Sequence, residues 1–210
     1  MISVLIADDH TVVRQGLKQI LSADKQMSVV AEATNGIEVL RALERARVDV
    51  LILDVTMPGK NGLDTLKEVK RNYPALPVLV LSMHPEDQFA IRMLRAGASG
   101  YITKESAPEE LVEALRKVCS GGKYVSPQLA ERLAMFIEDD NTRAPHERLS
   151  DREFEILRML ALGKTVTEVA DELLLSVKTV STYRSRVLDK MKMTTNAELT
   201  RYALQSGLIN

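Results

Sequence analysis

Five short runs rich in branched apolar residues recur through the first part of the chain, at 2–7, 27–33, 49–54, 78–82 and within 98–104. Each is followed by a stretch whose apolar positions repeat at helical spacing. Val13, Leu17, Ile20 and Leu21 follow the first run, and Asn35-Gly36 reads as a turn after the second. Ile37, Leu40, Leu43 and Ala46 then mark a helix. Another runs from Gly62 to Tyr73 and stops at Pro74. Residues 85–96 form a helix ended by Gly97, and Pro108 opens one carrying Leu111, Val112, Leu115 and Val118. Strands that are apolar at almost every position suit a parallel sheet covered on both faces. The alternation therefore predicts an α/β domain with a doubly wound five-stranded parallel sheet.

In such a sheet the carboxyl ends of all strands share one edge, where open α/β folds bind ligands. The third run, Val50-Leu51-Ile52-Leu53, ends in Asp54, and Pro58-Gly59 breaks the chain just beyond. Taken alone, Asp54 reads equally as a group that does chemistry and as a structural one that caps the next helix or holds the turn. Its companions change that reading. The first strand ends in Asp8 and Asp9, the fourth in Ser82 and the fifth in Lys104. Clustered carboxylates repel and call for a cation. All-oxygen ligands favour Mg²⁺ over zinc or copper. A lysine charge and a hydroxyl suit a phosphoryl group arriving at one carboxylate. The plainer alternative is that Asp8 and Asp9 cap the first helix. His10 reads as the opening of that helix, and His84 as a neighbour of the site or simple exposed loop.

On Asp8-Asp9, Asp54, Met57-Pro58-Gly59 with Gly62, Ser82 and Lys104, residues 1–120 resemble the receiver domain of two-component response regulators. The resemblance implies a flavodoxin-like, CheY-like fold in which Asp54 accepts a phosphoryl group from a histidine kinase. Mg²⁺ would be held by Asp8, Asp9, Asp54 and the backbone carbonyl of Thr56. Ser82 would bond the phosphoryl oxygen and Lys104 would pair with its charge. Ser82 and Tyr101 would form the switch, the aromatic ring moving inward with Ser82. Glu105 stands where the family often has proline.

Beyond Gly121-Gly122, Ser126-Pro127 opens a short helix carrying Leu129, Leu133, Phe136 and Ile137. Residues 138–147 are polar and aperiodic and read as an exposed, mobile tether. Ser150 with Glu153 forms a capping-box pattern, Thr167 is placed to cap a second helix and Ser176 a longer third through Met191. A last helix starts at Thr195 or Asn196. The result is a small all-α domain with helix-turn-helix proportions at 167–174 and 177–191. The whole chain has a formal net charge of −1, yet residues 176–193 hold five basic residues against one acid, a local +4. Lys178, Ser181, Thr182 and Ser185 form a polar face suited to base edges, with basic side chains beside it for phosphates.

Residues 149–207 resemble the LuxR-type helix-turn-helix of the NarL/FixJ class, through Leu149-Ser150-Asp151-Arg152-Glu153, Gly163, Val169-Ala170 and Ser176-Val177-Lys178-Thr179-Val180. The resemblance puts Ser181, Thr182 and Ser185 at base-facing positions, and Lys178, Thr179, Arg186 and Lys190 at or near backbone-contacting ones. Tyr183 replaces a frequent histidine, with a hydroxyl able to reach a phosphate. Val166-Thr167 replaces a common Asn-Lys pair.

The expected layout is a receiver at 1–121, a linker with a short helix at 122–145 and a helix-turn-helix domain at 146–210. The chain reads as a transcription regulator, not an enzyme. Its expected partners are a sensor histidine kinase or phosphotransfer protein and double-stranded promoter DNA, bound as a homodimer. A hydrolase with a strand-end Asp nucleophile is disfavoured because Asp54-Val55-Thr56 lacks a second acid. A bundle that binds only protein is disfavoured by the basic stretch. The one cysteine, Cys119, and the absence of a signal-peptide pattern or long apolar run point to the cytoplasm and away from a membrane.

Overall fold

The structure, a computed structural model, describes residues 1–57, 62–83, 88–138 and 144–209, with backbone alone at 88–89, 132 and 134–138. It divides into two units, Met1–Arg132 and Leu133–Asn210.

In the first unit, β1 (Ile2–Ala7), β2 (Met27–Ala33), β3 (Val50–Asp54), β4 (Val78–Ser82) and β5 (Gly100–Thr103) form one parallel sheet in the order β2-β1-β3-β4-β5. The helices between and after them are α1 (Thr11–Ser22), α2 (Gly36–Arg45), α3 (Gly62–Asn72), α4 (Gln88–Arg95) and α5 (Ala107–Cys119). Alternate strand residues serve opposite faces. Val4, Ile6, Val50, Ile52, Leu79, Leu81 and Ile102 join Leu17 and Leu21 of α1 and Leu111 and Leu115 of α5 in one core. The intervening Leu5, Leu51, Leu53 and Val80 are equally buried and face the other layer, which buries Val39 of α2, Leu66 and Val69 of α3 and Met93 of α4. This double burial is why the strands read as unbroken apolar runs.

Asn35-Gly36 is not a free turn. Asn35 is the N-cap of α2, its Oδ1 accepting from the N–H groups of Ile37 (3.1 Å) and Glu38 (3.0 Å), and Gly36 is already helical. Pro58-Gly59, His84 and residues 85–87 of the expected fourth helix lie outside the described residues. Gly62 starts α3 hard against the end of β3. A Cβ there would lie 2.6 Å from the Asp54 carbonyl oxygen and 2.7 Å from Val55 Cα.

The chain leaving α5 returns to the sheet. Tyr124 pairs with Gly100 as a parallel bridge, with Tyr101 N–H donating to the Tyr124 carbonyl (3.0 Å) and Tyr124 N–H to that of Ser99 (3.1 Å). A Cβ on Gly100 would meet the Tyr124 oxygen at 2.7 Å, so the contact needs glycine. The helix α6 (Pro127–Glu138) follows, with Ser126 Oγ accepting from Leu129 N–H (3.1 Å).

In the second unit, a 3₁₀ turn at Pro145–Arg148 precedes α7 (Asp151–Ala161), α8 (Val166–Leu173), α9 (Val177–Met191) and α10 (Asn196–Gln205). The end of the expected tether is thus structured. His146 is 3% exposed, and its Nδ1 lies 2.6 Å from the Tyr202 hydroxyl. Residues 139–143 of that tether lie outside the described residues. Capping boxes close α7 (Ser150 with Glu153), α8 (Thr165 with Glu168) and α10 (Thr195 with Glu198). Thr167 is therefore not the cap of α8. Glu168 stands three residues after Thr165, which completes a reciprocal box that Thr167 has no acid to match. Ile156, Leu160, Val169, Ala170, Leu173 and Val180 form a core between α7, α8 and α9. Between α8 and α9 the chain turns at Leu174 (φ +52°), in the left-handed region. No helix among the described residues is long and apolar enough to cross a membrane.

Candidate phosphoryl-acceptor site and nucleic-acid interface

The strand order reverses direction between β1 and β3, the place where open parallel sheets leave a crevice at their carboxyl ends. The β1–β3 register pairs Ala7 with Leu53, so the next step on each strand sets Asp8 beside Asp54. Both carboxylates are 1% exposed. Lys104, one residue past β5, reaches across so that its Nζ lies 2.7 Å from Asp8 Oδ2 and 3.0 Å from Asp54 Oδ2. Asp9 is more open, and its Oδ1 lies 2.9 Å from His10 Nδ1. The His10 ring is also 3.3 Å from Asp8 Oδ1, which further accepts the His10 backbone N–H at 2.7 Å. His10 is the N-cap of α1 but makes no side-chain cap bond, and its ring lies beside the acid pair.

Burial pushes the Asp54 carboxyl up to about 6, against the pull of the Lys104 ammonium and with a further push from Asp8. Burial alone would lower Lys104, but its bonds to Asp8 and Asp54 outweigh that and raise it. One ammonium therefore serves two buried carboxylates, with Asp9 alongside. Asp54 Oδ1 has no hydrogen-bond partner among the described residues, and Asp8 Oδ2 and Asp9 Oδ1 have only the ionic contacts just given. Asp8, Asp9, His10 and Asp54 each present a ligand atom within 4.8 Å of the others. Oxygen-rich donors, a surplus of negative charge and unsatisfied buried oxygens fit a hard divalent cation.

Thr56, expected to offer its carbonyl, is exposed just beyond β3. Ser82 is fully buried at the end of β4, paired in register with Thr103, and its carbonyl accepts the Lys104 N–H at 2.7 Å. Ser82 and Lys104 are thus joined through backbone. Tyr101 is fully buried on β5, opposite Val80. Arg14 was not evident from the sequence as part of this region. Its guanidinium donates to the Asp8 carbonyl at 2.8 Å and to Glu32 Oε2 at 3.1 Å. Only its place one turn into α1, on the face toward the strand ends, could have signalled this.

In the second unit Lys178, Ser181, Thr182, Ser185 and Arg186 are exposed on α9, and Thr179 and Tyr183 are half-buried. The Thr182 and Ser185 hydroxyls donate to the carbonyls one turn back, Lys178 (3.0 Å) and Ser181 (3.1 Å), so they are satisfied locally until another acceptor arrives. Thr179 belongs to the helix cap: its N–H donates to Ser176 Oγ (3.0 Å) and its hydroxyl lies 2.7 Å from the same atom. Tyr183 packs against the α7–α9 core, with the Arg186 guanidinium 5.9 Å from its ring centroid. Lys190 is engaged elsewhere. Its Nζ lies 2.7 Å from Glu153 Oε2, which also accepts the Ser150 N–H at 2.7 Å. Glu153 is buried, and it carries both the capping box of α7 and the ion pair to α9. Arg184 Nε donates to Asn196 Oδ1 at 2.7 Å and ties α9 to α10.

The family model for the response regulator receiver domain matches residues 4–116, and that for bacterial regulatory proteins of the luxR family matches residues 147–203. Response regulator UvrY of Escherichia coli (strain K12) is 37% identical over 211 residues, covering 100% of this chain and 97% of its own length. Response regulator GacA of Pseudomonas aeruginosa is 38% identical over 211 residues, covering 100% and 99%. The RcsB response regulator of Salmonella typhimurium is similar in structure, with a TM-score of 0.76 at 30% identity and 98% of each chain covered. RcsB from Salmonella enterica serovar Typhimurium bound to promoter P1flhDC in the presence of phosphomimetic BeF3- gives 0.70 at 30% identity, with 96% of this chain and 97% of that one covered.

Proposed function

Because the chain belongs to the DNA-binding response regulators, two-component transcription regulators that join a receiver to a luxR-family domain, we propose that Asp54 is its phosphoryl acceptor and that the acyl phosphate controls promoter binding as a dimer. The donor is a phosphohistidine of a sensor kinase or phosphotransfer protein. A carboxylate oxygen of Asp54 attacks phosphorus, a P–O bond forms, the P–N bond breaks, and its electron pair leaves with the imidazole. Attack needs the ionised carboxylate, and a group displaced to about 6 is mostly ionised at pH 7.5. The observation that carries this reading is the Lys104 bridge between Asp8 and Asp54, which leaves Asp54 Oδ1 as the oxygen without a partner among the described residues.

Asp8, Asp9 and Asp54, with the Thr56 carbonyl, would hold Mg²⁺, which when bound offsets charge on the phosphoryl oxygens. Lys104 exchanges a carboxylate partner for a phosphoryl oxygen, and the Ser82 hydroxyl donates to another. The Lys104 N–H to Ser82 carbonyl bond couples those two adjustments. The Tyr101 ring is already buried, so phosphorylation is expected to favour this position over others, a shift of population. At the output end, Ser181, Thr182 and Ser185 approach base edges, while Lys178 and Arg186 meet phosphates, with Tyr183 and Thr179 beside them. Lys190 reaches a phosphate only by leaving Glu153.

Treatment with a small acyl phosphate should give a hydroxylamine-labile phosphoprotein on phosphate-affinity gels with the wild type and none with Asp54→Asn. Genome-wide footprinting of wild type beside Asp54→Ala tests the control: equal occupancy in both would refute it.

A further inference from the structure

Every polar group of Asp8 has a role in the geometry. Its N–H donates to the Ala33 carbonyl on β2 at 3.1 Å, Oδ1 accepts the His10 N–H and Oδ2 meets Lys104. The remaining group is the carbonyl, which belongs to the peptide linking Asp8 to Asp9. The tilt of that one peptide sets how the two carboxylates stand to each other. It lies past the last ladder pair of β1, so no strand neighbour holds it.

Arg14 holds it instead. Nη1 donates to the Asp8 carbonyl at 2.8 Å while Nε donates to Glu32 Oε2 at 3.1 Å. The guanidinium is planar, so anchoring one edge on Glu32 fixes the direction of the other. Glu32 is itself braced, since Lys18, one helical turn beyond Arg14, puts its Nζ 2.7 Å from Oε1. The Arg14 side chain is only 12% exposed, so this contact is not a loose surface pair.

We propose that Arg14 is a positioning residue for the divalent-cation site: through Glu32 it fixes the Asp8–Asp9 peptide and so pre-sets the two carboxylates for the metal. The inference rests on the reading of Asp8, Asp9 and Asp54 as that site, and it adds a prediction with an unexpected sign. On charge alone, removing a cation beside a cation site tightens metal binding. Removing a positioning group loosens it, by about tenfold for partners of the ligands themselves.

The test is calorimetric titration of the full chain with MnCl₂, at a temperature where circular dichroism shows each variant folded. Arg14→Met is expected to bind Mn²⁺ about tenfold more weakly than wild type. Lys18→Met removes the same charge and loosens Glu32 but leaves the Arg14 bond to the Asp8 carbonyl in place, so it should weaken binding far less than Arg14→Met, or not at all. Arg14→Lys, whose single ammonium cannot serve both acceptors, should recover little of the loss. Binding by Arg14→Met equal to or tighter than wild type overturns the proposal, as does equal weakening by Lys18→Met. Wild type that fails to bind Mn²⁺, or that binds it no better than Asp8→Asn, overturns the site reading and the proposal with it. Clean Asp8-dependent binding that ignores Arg14 overturns the proposal alone.

Discussion

Replacing Asp54 by asparagine should make the metal-free protein more stable, although it removes the proposed phosphoryl acceptor. In the unfolded chain this carboxyl titrates near 3.8, and in the fold burial holds it at about 6. A raised acid pKa means the native state keeps a proton that the unfolded state has lost. Stability is therefore unaffected below pH 3.8, falls as pH rises toward 6, and stays at the lower level above it. That displacement corresponds to about 3 kcal/mol at roughly 1.4 kcal/mol per pH unit. Asn has the same shape and no charge, and Lys104 keeps its contact with Asp8 (2.7 Å). Urea unfolding followed by circular dichroism, with chelator present, should then give Asp54→Asn an advantage approaching about 3 kcal/mol at pH 7.5, shrinking to a few tenths near pH 4. Mg²⁺ should close the gap from the other side, because a ligand at a hundred times its Kd stabilises the wild type by about 2.7 kcal/mol. A variant no more stable than wild type at pH 7.5 in chelator would show that the buried carboxylates are not under the strain described.

Further substitutions test the framework around the two sites. Gly62→Ala puts a Cβ 2.6 Å from the Asp54 carbonyl oxygen; with backbone on that side, thermal melts should fall by about 2 kcal/mol or more and acyl phosphate formation should drop with them. Lys190→Ala leaves the buried Glu153 carboxylate without its cation, and since the lysine end is 42% exposed the loss should be about 1–2 kcal/mol in the second unit. The double variant with Glu153→Gln should recover part of it in the same melt. Thr165→Ala removes the α8 cap and should cost about 1 kcal/mol, while Thr167→Ala should cost little; the reverse order in urea titrations would restore Thr167 as the cap.

The sheet was legible because β3 and β4 are buried at every position, on both faces, so Val50–Leu53 and Val78–Leu81 could hardly be anything else. The acid site was legible for a related reason. Parallel strands deliver their ends to one edge, so Asp8, Asp9, Asp54, Ser82 and Lys104 could be grouped without knowing a single distance. What stayed hidden depends on which partner wins among several. Asn35 could turn the chain or cap a helix, and the free N–H groups of Ile37 and Glu38 decide for the cap. A count of charge on α9 places Lys190 with the other cations, but only the tertiary fold brings buried Glu153 within reach of it. His146 sits in a polar, aperiodic stretch and is buried because Tyr202, 56 residues away, offers its hydroxyl. Arg14 offers only its place one turn into α1 until β1 and β2 lie side by side and bring Glu32 within its reach.

The pairing of Tyr124 with Gly100 has a consequence for solubility. β5 is an edge strand, and an edge with unpaired N–H and carbonyl groups is a template on which other chains can add. The two hydrogen bonds from Tyr101 and Tyr124 occupy that edge with the chain's own continuation. A receiver fragment cut at residue 121 would lack this cover, while one carried past Tyr124 would keep it. Residues up to Tyr124 thus cover β5 against self-association, on the strand that also carries Tyr101 and leads into Lys104.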